Sequence, residues 1–297
     1  MGFIDEINQR TNLQLLVNQS MKKHTAYGVG GVARFYSEAK SVHSLNTAYL
    51  LCKKYNIPCK IIGNGTNILF SDKGYDGLII STKGISEIFH KGNKIRATCG
   101  VNLKKLIDYT SKNSLTGVEM LTGIPASIGG AIYMNAGAFN HEISENIIEV
   151  ESVSDGKLVK RFKEDCQFKY RESIFNKNKE IILSATFEFN EGNVNTINEK
   201  IQSVLAVRKT FQPTGKSLGC VFKNPKKFSS GQLIDALGLK GYKIGGASVS
   251  VKHGNFIVTD STATATDVVE LINYIKEKVY KAFNIKLEEE IEIIGDF

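Results

Sequence analysis

The sequence predicts an α+β protein, and three observations carry the expectation. Ile181, Leu183, Ala185, Phe187 and Phe189 fall on alternate positions, the period of a strand with one buried face. Val42, Leu45, Tyr49 and Cys52 recur at helical spacing. Helical and strand-like runs then mix along the chain without the strict alternation of a doubly wound sheet. The 297 residues amount to two medium domains or one large one.

Taken in order, residues 3–18 read as an opening helix and 42–55 as a second. A short apolar strand, 57–62, runs into Gly63-Asn64-Gly65, and strands follow at 77–81 and 94–99. Asn102 caps a helix that carries Leu103, Leu106, Ile107 and Tyr109. From Gly117 to Gly137, five glycines and Pro125 break both periods, so irregular backbone is expected. Strands return at 147–153 and 181–189. The polar stretch 190–195 marks a domain boundary. Beyond it come a helix with Ile197, Ile201, Val204 and Leu205, then Cys220 beside Gly219, a short helix near 230–237, and a hairpin around His253-Gly254-Asn255. The Thr264-to-Asp267 spacing is that of a capping box. It opens a long helix, 266–283, with Val268, Ile272, Ile275, Val279 and Phe283 as its core stripe. In the last strand, 287–294, Glu288, Glu290 and Glu292 share one face.

Composition excludes several classes. Apolar residues are 42% and charged residues 23%, ordinary for a folded chain with a sizeable core. No apolar run approaches ~18 residues, so no membrane span is expected, and the acidic, polar start does not read as a secretion signal. The net charge of +8 is spread along the chain without basic blocks, which argues against nucleic acid; it fits a solvated lysine-rich surface or, as the sharper reading, an anionic ligand. Five cysteines with no C-x-x-C pair fit neither a disulfide framework nor a zinc site; no metal is expected, and a reducing cytoplasm suits them.

Five stretches hold residues suited to chemistry. Gly63-Asn64-Gly65-Thr66-Asn67 follows a strand, and its small residues let backbone N–H groups approach a pyrophosphate. It lacks the third glycine and helix of the Rossmann fingerprint. Gly123-Ile124-Pro125-Ala126-Ser127-Ile128-Gly129-Gly130 makes a close-fitting loop. Arg171 can hold a carboxylate through paired hydrogen bonds. The thiol of Cys220, with an ordinary pKa of about 8.5, can donate a proton. Glu290 is an acid or anchor if its face meets a cleft. Each also fits an ordinary structural role: a turn, a tight loop, a surface arginine, a small buried residue and a solvated face.

Their order and combination resemble the UDP-N-acetylenolpyruvoylglucosamine reductase (UDP-N-acetylmuramate dehydrogenase) family over nearly the whole chain. The resemblance rests on Thr25 to Gly31, Gly63 to Leu69, Gly123 to Gly137, Tyr170 to Phe175, Gly219 to Pro225 and Leu287 to Gly295. It implies an FAD-binding domain of the vanillyl-alcohol-oxidase (PCMH) type in two subdomains, followed by an α+β substrate domain. The implied boundaries are 1–26 for an N-terminal helical segment, 27–192 for FAD and 193–297 for substrate. Non-covalent FAD would lie on Gly63, Asn64, Gly65, Thr66, Asn67, Ile68, Gly123, Ile124, Pro125, Ala126, Ile128, Gly129, Gly130 and Ala131, with Tyr27, Gly137 and Ala138 nearby.

The implied reaction passes two electrons from NADPH through FAD to the enolpyruvyl double bond of a UDP-sugar, a step toward peptidoglycan. Arg171 would bind the substrate carboxylate and Cys220 would protonate the carbanion. Glu290 would support the developing charge as a neutral acid. Arg208, Lys223 and Asn224 would contact the nucleotide sugar. Many members place serine where this chain has Cys220, and a thiol adds sensitivity to alkylation. Arg208 is followed directly by Lys209, whereas some members space the lysine further on. The chain lacks the long tyrosine-bearing loop of the longer branch and resembles the shorter one. Two other readings stand beside this one: an FAD-dependent oxidase of the same superfamily that uses dioxygen, and a nucleotide-binding regulator without turnover.

Overall fold

In the computed structural model, which describes residues 2–297, the long helices begin where a short polar side chain takes up a backbone N–H. Ser41 accepts from the Ser44 N–H at 3.1 Å ahead of Val42–Lys54. Asn102 accepts from Lys104 at 2.9 Å ahead of Leu103–Lys112. Thr264 accepts from Asp267 at 3.0 Å ahead of Ala265–Phe283, and Asp267 returns the bond to the Thr264 N–H at 2.9 Å. Asp72 also reaches this helix start, accepting from the Ala265 and Thr266 N–H groups at 3.0 and 2.8 Å. Two carboxylates thus face the positive end of the helix dipole.

The chain folds into two compact units. The first holds residues up to Leu16, Phe35–Asn64 and Gly77–Val207. Its main feature is a five-stranded antiparallel sheet in the order Lys157–Phe162, Ile147–Ser154, Ile181–Glu188, Lys94–Thr98, Ile88–Lys91. A parallel pair, Cys59–Ile62 with Tyr75–Ser81, sets Cys59 opposite Leu78 and Ile62 opposite Ser81. Leu45, Leu51, Leu78, Ile95, Leu106, Ile132, Val150 and Phe187 belong to one buried apolar cluster.

The second unit holds Val17–Arg34, Gly65–Asp76 and Arg208–Phe297. It contains a three-stranded antiparallel sheet, Lys243–Ile244, Ala247–Val249 and Ile257–Thr259. Ile68–Phe70 pairs in parallel with Glu292–Ile294. Tyr27, Leu69, Val221, Phe222, Ile234, Leu271 and Ile275 share its core.

Several expectations change. The opening helix spans only Phe3–Arg10: Thr11 turns to extended backbone at φ −135°, and its hydroxyl donates to the Ile7 carbonyl at 2.7 Å. A strand, Leu16–Ser20, replaces the helix end. The glycine-rich stretch is not wholly irregular, since Ser127 caps a short helix, Ile128–Tyr133. Strand Ile181–Glu188 is buried on both faces, because Ile128–Tyr133 packs against it and Ser184 lies under the Arg96–Glu151 pair. Phe283 is exposed, and Ala265 and Leu271 fill the helix stripe instead; Leu205 is exposed as well. The last ladder strand is only Glu292–Ile294, since residues 288–290 pair with 221–223. The units are not the contiguous blocks 1–26, 27–192 and 193–297. The pairing of Ile68–Phe70 with Glu292–Ile294, and Tyr27 and Val29 in the second core, gather residues 17–34 and 65–76 with the C-terminal part.

Candidate active site

In the first unit the two glycine-rich segments meet. The Asn64 side chain donates to the Pro125 carbonyl at 2.8 Å. A Cβ on Gly63 would lie 2.0 Å from Ser127 Oγ, so nothing larger than glycine fits there. Ser127 Oγ accepts from the Gly130 N–H at 3.2 Å. The N–H groups of Ile128 and Gly129 donate to Val101 and Cys99, both at 2.8 Å, which pins this turn onto an earlier one. Ile128 and Ala131 are buried, Ile124 and Ala126 half-buried, and Gly123, Pro125 and Gly130 exposed.

The chain crosses into the second unit between Asn64 and Gly65. Gly65 has φ +69°, and a Cβ there would lie 1.9 Å from the His24 carbonyl. Its own carbonyl accepts from the Ala26 N–H at 2.9 Å, joining Thr66 and its neighbours to the Thr25–Gly31 segment. Tyr27 is fully buried; its carbonyl accepts from Thr259 Oγ1 at 2.6 Å, and burial drives its phenol pKa far up. Asn67 donates to the Glu290 carbonyl at 3.0 Å and accepts from the Glu292 N–H at 2.9 Å, and Ile68 opens the strand opposite Glu292.

Arg171 sits in the first unit in a tight turn. The backbones of Lys169 and Glu172 exchange two 3.0 Å bonds across it. Its φ of +56° is left-handed, which costs a non-glycine residue about 1–3 kcal/mol. Its guanidinium donates to the Gly137 carbonyl at 2.8 Å and lies 4.9 Å from the Tyr170 ring centroid. Gly137 and Ala138 form a two-residue ladder with His141 and Glu142. Asn135, fully buried, donates to Glu142 at 2.7 Å and to the Lys169 carbonyl at 3.0 Å, tying the turn to this ladder.

Cys220 and Glu290 both lie in the second unit, on neighbouring segments. Cys220 bridges to Phe256, and the Glu290 N–H donates to the carbonyl of Val221, the residue after Cys220, at 2.7 Å. Both are half-buried. Arg208, in the last turn of Val194–Phe211, is largely buried and donates to Gln212 at 3.1 Å. Burial holds its pKa below the usual arginine range, and the nearby Cys220 acts in the opposite sense. Lys223 lies 3.6 Å from Glu288. Asn224 accepts from the Ser230 N–H at 3.0 Å at the start of Ser230–Ala236.

Thus the structure joins Gly63 and Asn64 to Gly123–Ala131, Gly65–Ile68 to the Tyr27 segment and Glu290, and the Cys220 segment to that of Glu290. Sequence reasoning passed over Asn135 and Asp72. Asn135 carries one signal in the sequence, since asparagine tolerates the left-handed φ of +44° found there. Asp72 carries none, because its partners are more than 190 positions away. Among the described residues no group of three His, Cys, Asp or Glu could hold a metal, and no helix is long and apolar enough to cross a membrane.

Comparison with known proteins adds the following. Residues 212–294 match the family described as "UDP-N-acetylenolpyruvoylglucosamine reductase, C-terminal domain", and residues 33–160 match "FAD binding domain". The chain is 38% identical over 282 residues to a UDP-N-acetylenolpyruvoylglucosamine reductase of Clostridium novyi, covering 94% of this chain and 92% of that one. A crystal structure of the Thermus caldophilus UDP-N-acetylenolpyruvylglucosamine reductase is similar with a TM-score of 0.82 and 32% identity, over 96% of this chain and 99% of that one. Physcomitrella patens BBE-like 1, at 15% identity and a TM-score of 0.51 over 64% of this chain and 45% of that one, shares the fold.

Proposed function

The chain belongs to the UDP-N-acetylenolpyruvoylglucosamine reductase family, and from that premise we infer that it reduces UDP-N-acetylglucosamine enolpyruvate to UDP-N-acetylmuramate with NADPH, a step in peptidoglycan precursor synthesis. The carrying observation is the 38% identity spread over 94% of the chain. FAD, when bound, relays two electrons between NADPH and the double bond of the substrate. The residues present fit that cofactor. Thr122 Oγ1, Asn135 Oδ1 and Tyr27 Oη are buried polar atoms with no hydrogen-bond partner among the described residues, and all three lie in or beside segments the resemblance assigns to FAD. Each such atom costs about 1–3 kcal/mol until something bonds it. Asn64, Gly65, the Gly123–Ala131 turn and Tyr27 would hold the cofactor.

The roles of the chain's own groups follow from charge. Addition of a hydride, two electrons with one proton, to the terminal carbon of the enolpyruvyl group forms a C–H bond there and leaves negative charge on the adjacent carbon, delocalised into the carboxylate. Arg171, oriented by the Gly137 carbonyl and the Tyr170 ring, binds that carboxylate and stabilises the charge as it forms. Cys220 gives its proton to the carbon, the new C–H bond taking the electron pair while sulfur keeps its own as thiolate. The positive charge of Arg208 favours that thiolate electrostatically, and solvent re-protonates it. Glu290, whose N–H is bonded to the Val221 carbonyl, would support the developing charge only in its protonated form. The reducing cytoplasm is the proposed compartment, in keeping with five cysteines that form no disulfide among the described residues.

Cys220→Ala tests the assignment. The variant is expected to keep NADPH-driven flavin bleaching and to lose sugar-nucleotide reduction. Full turnover in that variant removes Cys220 from the chemistry.

A further inference from the structure

Phe222 lies one strand position beyond the Cys220–Val221 peptide, and its two edges are served differently. On one side the segment pairs with residues 288–290: the Lys223 N–H donates to Glu288 at 2.9 Å, the Glu290 N–H donates to Val221 at 2.7 Å, and Phe222 stands opposite Glu289. On the other side Phe222 meets a single side chain. Its N–H donates to Asn255 Oδ1 at 2.9 Å, and its carbonyl accepts from Asn255 Nδ2 at 2.8 Å. The Asn255 carbonyl also takes the Val221 N–H at 2.9 Å. Asn255 is 3% exposed, and its backbone N–H is held by His253 Nδ1 at 3.2 Å.

The carboxamide therefore acts as a substitute peptide group, one acceptor and one donor at the spacing a strand residue presents. The two bonds also fix which way the amide faces, since reversing it would set donor against donor. Aspartate of the same shape would offer acceptors only and turn one of them on the Phe222 carbonyl. Alanine would leave both Phe222 groups buried without partners.

The Asn255 backbone holds the Val221 N–H and its side chain holds both groups of Phe222, the residue that stands opposite Glu289, so the strand joining the Cys220 and Glu290 segments is fixed from this side by Asn255. We propose that Asn255 is a positioning residue that sets the Cys220 thiol against Glu290 for protonation of the substrate carbon. The proposal rests on Cys220 being the proton donor.

The test uses the full-length flavin-loaded protein. Asn255→Asp and the milder Asn255→Ser are expected to slow sugar-nucleotide reduction ten- to a hundredfold, about the cost of a 1 Å misplacement. NADPH-driven bleaching should stay unchanged. Hydrogen exchange of the peptide 219–224 should quicken while that of 265–283 does not. On the residual sugar-nucleotide reduction that Cys220→Ala retains, followed in single-turnover reoxidation of the reduced flavin, adding Asn255→Ser should cause no further slowing, because both changes act on one step. An Asn255→Ser effect that persists in full in that background overturns the positioning role while leaving Cys220 in place. Full turnover of Cys220→Ala alone overturns the donor reading and this proposal with it. The unaltered chain supplies a check that needs no variant: the Phe222 amide should exchange as slowly as that of Lys223, and fast exchange at Phe222 contradicts the clamp.

Discussion

Arg171 keeps a left-handed φ of +56° in a turn closed by Lys169 and Glu172, and its guanidinium is aimed by the Gly137 carbonyl. Strain of this kind persists where the surroundings over-determine it, here Asn135 beneath the turn and Tyr170 beside the guanidinium. Arg171→Ala is expected to lower substrate turnover about 10²–10³-fold, the usual cost of removing one preorganised donor to a developing anion. Flavin content and bleaching by NADPH should not change. Arg171→Lys should recover little, since an ammonium cannot grip a carboxylate in parallel bonds; turnover near that of the unaltered chain would argue that only charge matters there. The cysteines allow a second residue-level prediction. Burial pushes the Cys99 and Cys166 thiols up to about 12, and the Cys59 thiol is raised by its hydrogen bond with Cys52 and by burial. These thiols should resist iodoacetamide near pH 8, whereas half-buried Cys220 should react and turnover should fall with it. Mass spectrometry locates the adduct, and Cys220→Ser should keep its activity through the same treatment.

At the scale of single elements, sequence and structure agree where local chemistry decides. The helices at 42–54, 103–112 and 265–283 were legible from apolar spacing, the last two also from Asn102 and Thr264 as caps. The helix Ile128–Tyr133 was hidden, because its two glycines mask a helical period while the bonds to Val101 and Cys99 that hold it come from a turn nearly thirty residues earlier. Glu180 shows the same dependence on partners far along the chain. Its buried carboxylate is raised by desolvation, but hydrogen bonds from Arg161 at 3.1 Å and Ser152 at 2.7 Å outweigh this and hold its pKa below the usual glutamate range. A pKa depressed in the folded state adds stability that is full above the unfolded value of about 4.3 and is lost as pH falls through the folded value. Glu180→Ala should destabilise by about 1.5–3 kcal/mol at neutral pH, the usual worth of hydrogen bonds to a charged group, because partly exposed Arg161 loses its carboxylate partner. Denaturant midpoints of the two proteins should converge below about pH 4; a gap that stays constant with pH would mean the loss is packing alone.

The molecule as a whole departs most from its sequence reading. The boundary expected near 190–195 falls instead inside the helix Val194–Phe211, after Val207, and the second unit also takes Val17–Arg34 and Gly65–Asp76. Nothing local in those segments announces this; it follows from Leu69 and Tyr27 entering the core of Leu271 and Ile275, and from Ile68–Phe70 pairing with Glu292–Ile294. The fragment 193–297 should therefore lack cooperative unfolding when made alone, and a sharp calorimetric transition from it would show that those segments are dispensable. The candidate residues were nominated by residue type, which the sequence prints, whereas Asn135, Asn255 and Asp72 act through shape and distance, which it does not. The reductase reaction is tested most directly by anaerobic mixing of the flavin-loaded protein first with NADPH and then with UDP-N-acetylglucosamine enolpyruvate. The yellow absorbance should fade on the first addition and return on the second, in step with formation of UDP-N-acetylmuramate. Colour that ignores the sugar nucleotide and comes back only when dioxygen is admitted would contradict it.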